Sequence, residues 1–199
     1  MKKLSISLLF LFLIFASFHS CETIKQAGEI TRLKDCNFSL EGINALTLAG
    51  INLGNGSNLS GMEGGQLMQL ANALFQKNLP ISLDVMIKAE NPNTKPAMLS
   101  KMDYLVLIDG MELFTGQNTR QYTIGASNFE TIALPLQTEL FKAMSEQSKE
   151  KITGLINKLS GKDKTPVEVT VKIKPYVSIG GASVPYPGYL TFVQKLQNN

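Results

Sequence analysis

Two runs of strict alternation restrict this chain more than anything else in it. Ile81, Leu83, Val85, Ile87 and Ala89 are apolar, with Ser82, Asp84, Lys88 and Glu90 between them. Val167, Val169, Val171 and Ile173 repeat the pattern against Glu168, Thr170, Lys172 and Lys174. Successive strand side chains point to opposite faces, so period two over this length sends one face to a core and the other to water. These are half-buried antiparallel strands, and the chain is committed to sheets with one wet side.

Further strands are expected from the apolar stretch Tyr104 to Ile108, a central strand, and near Glu112 to Thr115, Arg120 to Ile124, Phe129 to Leu136 and Tyr189 to Val193. Leu46 and Leu48 fall on one phase and Ile51 and Leu53 on the other, which predicts a bulge at Ala49-Gly50. Turn signals stand at Asn91-Pro92-Asn93 and Asp109-Gly110. Six to eight short strands so punctuated predict an antiparallel β-sandwich of immunoglobulin or fibronectin-III kind.

Two segments break the rhythm. Leu67, Leu70, Ala71, Leu74 and Phe75 take the spacing of one helix face, predicting an amphipathic helix over 65–77. A second helical stretch over 138–159 has apolar groups at Leu140, Phe141 and Met144 and again from Ile152 to Leu159. Its polar middle, 145–151, is either solvated or a break between two helices. Both segments are expected to cap ends or edges of the sandwich.

The N-terminus reads as a leader. Lys2 and Lys3 precede mostly apolar residues from Leu4 to Phe18, the order of a secretory signal peptide over 1–20. Fifteen helical residues span about 22 Å, short of the ~30 Å hydrocarbon core, so the run is too short to span a membrane comfortably. No small-x-small cleavage pair fits between Ala16 and Gly28, whereas Ser20-Cys21 resembles a bacterial lipobox, with Phe18 and His19 departing from its usual residues. Cys21 is therefore the expected lipidation site, acylated with palmitate-type chains. The alternative is a disulfide with Cys36, the other cysteine. Residues 21–33 read as a short tether and 34–199 as a single domain.

Of 19 basic residues two lie in the leader, leaving 17 against 16 acids. That balance gives no reason to expect a nucleic-acid partner. The one histidine, His19, lies in the leader, which removes Ser-His and Cys-His nucleophile arrangements and the usual zinc sites from the exported part. Asp103 and Asp109 share a strand face about 20 Å apart, too far for an acid pair, and Asp84 and Glu90 fail alike. Carboxylates on separate strands could still converge. The glycine-rich run from Gly54 to Gly65 lacks the Gly-Lys-Ser/Thr ending of a phosphate-binding loop. No catalytic residue, metal ligand or cofactor is assigned, and the chain is not expected to be an enzyme.

The stretches Ile87 to Asn93, Met102 to Gly110, Leu113 to Gly116 and Ile132 to Leu136 resemble the late embryogenesis abundant type 2 family, with its water stress and hypersensitive response domain. The resemblance covers roughly residues 38 to 180. It implies a non-enzymatic fibronectin-III-like sandwich associated with stress, found in bacteria mostly as exported lipoproteins. The helical segments look like insertions relative to the short plant pattern.

Methionine fills adaptable apolar surface. Met86 lies on the outward phase of its strand and is expected to be covered by the 65–77 helix or open to a partner; the alternative is that this helix lines a groove for an apolar ligand. Met68, Leu74, Phe75, Met86, Phe141 and Met144 are therefore the expected partner or ligand surface. The sequence reading is a lipid-anchored interaction module of the bacterial envelope, at the outer membrane facing the periplasm, recruiting a protein, lipid or glycan. A bulk protectant would instead have a uniformly polar surface, and an enzyme a pocket with convergent polar groups.

Overall fold

The computed structural model describes residues 32–54, 58–145, 149–179 and 182–198. The leader, Cys21 and most of the tether lie outside these. Along the chain come β1 (Asn37–Leu48), β2 (Ile51–Gly54), β3 (Asn58–Leu59), α1 (Gly64–Phe75), β4 (Pro80–Asn91), β5 (Ala97–Leu99), β6 (Lys101–Ile108) and β7 (Met111–Asn118). There follow β8 (Tyr122–Ile124), β9 (Asn128–Glu139), α2 (Leu140–Ala143), α3 (Lys149–Leu159), β10 (Val167–Ile179), β11 (Ala182–Pro185) and β12 (Leu190–Asn198).

The two alternating runs become the middles of two sheets. One has the order β2-β1-β4-β9, the other β3-β12-β10-β6-β7 with β11 added to β10. Ile81, Leu83, Val85, Ile87 and Ala89 are at most 1% exposed, as are Val167, Val169, Val171 and Ile173, so the inward phases of β4 and β10 meet in one core. The result is the expected antiparallel β-sandwich with helical additions. One detail departs from it: the two-residue β3 runs parallel to β12.

The phase change near residue 50 is a turn rather than a bulge. Ala49 and Gly50 have φ of 52° and 76° between paired Leu48 and Ile51, the geometry of a two-residue hairpin whose twist suits the flanking strands. Asp109-Gly110 makes the same turn between β6 and β7. The irregularities in β1 lie earlier, between Leu40 and Gly42 and between Leu46 and Thr47, the second beside Ala45 at φ 47°.

The second helical stretch is two helices, α2 and α3, separated by the polar residues as its pattern allowed. Strand β9 runs on through Pro135 to Glu139, whose carboxylate caps both neighbours. Its Oε1 accepts from the Leu79 amide at 2.9 Å and its Oε2 from the Lys142 amide at 2.8 Å.

The helices α1, α2 and α3 sit at one end of the sandwich. Gln69 of α1 donates to the Ala49 carbonyl at 2.8 Å, the Met62 amide reaches Ser160 after α3, and Lys158 pairs with Asp109 of the β6–β7 turn at 2.9 Å. At the opposite end residues 32–36 meet the Asn91–Asn93 turn. Leu33 is 2% exposed there, so packing reaches into what reads as tether.

Candidate functional site

Asn91 is the sole polar residue among the described buried ones, and its bonds are complete. The two N–H donors of its amide are shared among the carbonyls of Lys95, Ile124 and Gly125 at 3.0–3.1 Å. Its oxygen accepts from the backbone and side-chain nitrogens of Asn93 at 3.0 and 2.7 Å, and Asn93 donates onward to the Arg32 carbonyl at 3.0 Å. A buried amide so satisfied locks a turn and has nothing left for a ligand. Cys36, a buried unpaired thiol, is equally inert: burial first, then the charge of Asp35, pushes it up to about 11.

The expected partner surface divides. Met144 is fully buried and cannot contact a partner, a correction that follows from its place in the core behind α2. Leu74 and Phe141 are half-buried against that core. Met86 is half-buried between the small residues Gly42 and Ala133 of adjacent strands. It lies about 20 Å along β4 from Pro80, whose carbonyl bonds Ala49, where α1 docks. The covering role expected of α1 is thereby corrected. Met68 and Phe75, in contrast, are 75% and 88% exposed, with Leu67 beside them at 47%. Only Leu70 of α1 is buried, because the helix rests on the narrow end of the β1–β2 hairpin.

The carboxylates are dispersed. Asp109 is bound to Lys158 and to the Glu168 amide, and Asp103 to Gln117 and Tyr176, both at 2.6 Å. Slight burial raises the Asp103 pKa, but the bonds from Gln117 and Tyr176 and the charges of Lys101 and Lys174 carry it below the usual carboxylate range. The same bond raises the Tyr176 hydroxyl above its usual value. Among the described residues no three His, Cys, Asp or Glu side chains gather to hold a metal.

A groove that the sequence reading missed opens along one side, where edge strand β9 of the first sheet faces edge strand β7 of the second. Its larger part, about 860 Å³, lies toward the helices, and a second part of about 330 Å³ lies toward Arg120. The two share Tyr104, Pro135 and Leu136. Tyr104 belongs to the inward phase of β6 but is only half-buried: its ring leans over Gly116 on edge strand β7, where a Cβ would come 2.5 Å from the Tyr104 hydroxyl. Two carboxylates, Glu112 and Glu139, line the larger part, and both oxygens of Glu139 are committed to backbone amides. The groove can bind, but it holds no pair of uncommitted acids. It escaped notice because it arises from strands far apart in sequence; the half-polar phase of β6 at Tyr104 and the proline in β9 were its only traces.

The class of protein that this fold defines is an antiparallel β-sandwich domain closed at one end by an asparagine-proline turn. Within it the family is specific: the LEA_2 model, described as late embryogenesis abundant protein, matches residues 86–187, and the chain belongs to that family. Solved structures similar to it include a protein from Archaeoglobus fulgidus, 14% identical, covering 81% of this chain and 98% of that one at a TM-score of 0.43. A late embryogenesis abundant protein solved in solution is 10% identical, over 93% of this chain and 84% of that one, at 0.42. An Arabidopsis thaliana protein is 11% identical, over 58% and 70%, at 0.39. No curated protein sequence matches the chain.

Proposed function

We propose that this chain is a non-catalytic interaction module, held at the bacterial envelope by a lipid on Cys21 and docking a protein partner through α1. The observation that carries it is the uncovered apolar face of that helix, Leu67, Met68 and Phe75. A soluble surface keeps large apolar groups scattered, and three within about 100° of one helix face favour a binding role over bulk protection, which asks only for a polar surface. Helices with such anchors are recognised by apolar grooves of partner proteins. Position supports it too: residues 32–36 lie at the asparagine end, and α1 stands at the other end of the sandwich, away from where the tether enters.

Photo-crosslinking in cells from a reactive residue at position 75 tests the docking. One dominant protein adduct, abolished by Met68→Glu and absent from a probe at exposed Ala182, is expected; adducts to lipid alone would end the reading. Intact-mass measurement of membrane-extracted protein tests the anchor. A mature chain with unmodified Cys21, or with a Cys21–Cys36 disulfide, would overturn it.

A further inference from the structure

We propose that the groove between β7 and β9 binds a neutral, extended saccharide chain. This site is distinct from the α1 face. The volumes of its two parts, about 860 and 330 Å³, fall within the range of small-ligand clefts, and the two stand end to end along the same strand edges, with Tyr104, Pro135 and Leu136 bordering both.

The lips supply the chemistry. Thr115, Gln137 and Thr138 line the larger part, and Gln117 and Asn118 the smaller. Hydroxyls and carboxamides both donate and accept, which matches the hydroxyls of a sugar, each of which does both. Gln117 keeps its acceptor oxygen, since only its Nε2 is engaged with Asp103. Tyr104 offers the floor an aromatic ring with a polar tip, the kind of surface on which the apolar faces of sugar rings rest. Charges stand at the two extremities, Glu112, Glu139 and Lys142 at one and Arg120 at the other, where Arg120 lies 5.2 Å from the Tyr122 ring. The middle of the trough is uncharged, so the ligand is neutral.

A peptide adding as a strand fits less well. The β4–β9 ladder continues unbroken across Asp84 and Pro135, so the amide that Pro135 lacks is missing from the groove side of β9. On the other lip, the register shift opposite Val106 and Leu107 turns both Leu113 and Phe114 inward. Neither edge presents the regular row of donors and acceptors that strand addition requires.

The test is a nitrogen-15 amide titration of the mature chain in detergent. The probes are two neutral hexasaccharides, one of β-1,4-linked glucose and one of β-1,4-linked N-acetylglucosamine, alongside an uncharged extended decapeptide. The expected result is saturable shifts from at least one hexasaccharide, confined to Tyr104, 112–118 and 133–138, with affinity in the range of about 1 mM or tighter. The double variant Thr115→Ala/Gln137→Ala, altering exposed lips only, should weaken it at least about tenfold, a loss of about 1.4 kcal/mol, with other amides unmoved. Absence of groove shifts at about 10 mM of both saccharides, shifts indifferent to the double variant, or occupation by the decapeptide instead would each overturn the proposal. The crosslink from position 75 reads a different surface, so either proposal can fail alone.

Discussion

The two ends of the sandwich solve opposite problems. At the asparagine end a polar side chain is buried and every bond it can make is made, tying β4, the β8–β9 connection and residues 32–36 into one closure. At the helical end apolar side chains of α1 stay in water, although α3 a short distance away buries Leu155 and Leu159 at 1% and 0% exposure. Burying an unsatisfied polar group costs stability, as does exposing an apolar one. The first end removes its cost by bonding; the second leaves it standing, and that unrelieved exposure is what marks a surface for binding.

Breaking the closed end should have the largest effect. Asn91→Ala strands three carbonyls and the donors of Asn93, and is expected to destabilise the fold by about 3 kcal/mol or more, read from the midpoint of urea unfolding. A loss below about 1 kcal/mol would mean that the turn stands without its hub. At the helical end Leu159→Ala should cost about 3 kcal/mol, because a fully buried leucine leaves a cavity behind. That variant separates the two helices: α3 is structure, whereas α1 is surface.

Cys36 sharpens the comparison through pH. Its pKa is raised on folding from 9.0 to about 11, chiefly by burial, so the neutral thiol is favoured in the native state. The stability this contributes is complete below the unfolded pKa and is lost as pH climbs from about 9 toward 11. Unfolding midpoints across that window should fall more steeply for the native chain than for Cys36→Ala, and iodoacetamide should label Cys36 only after unfolding. Rapid labelling of the folded chain at pH 8 would show the asparagine end to be more open than its packing. The smallest effect on stability belongs to Phe75→Glu, within about 0.5 kcal/mol of the native value, since the ring is already in water. If it destabilised the fold by 2 kcal/mol, Phe75 would be structural and α1 would lose its claim as a docking face.

Much of this was legible in the sequence. The alternation at 81–90 and 167–174 determined two half-buried strands and hence a sandwich, because period two permits only one core-facing phase. The asparagine-proline turn, the Asp109-Gly110 hairpin and the presence of the helices were likewise local, each written in a few neighbouring residues. Which apolar side chains those helices bury was not. Leu70 and Phe75 carry the same signal in the sequence, and only the width of the hairpin ledge under α1 decides that one is covered and the other is not. Met144, equally apolar and equally placed in its pattern, is buried because α2 turns in behind β9. The groove is wholly tertiary: β7 and β9 belong to different sheets, and a gap between two edges has no sequence period to announce it. Periodicity tells each residue which way to face, but what stands opposite it depends on how distant strands are brought together.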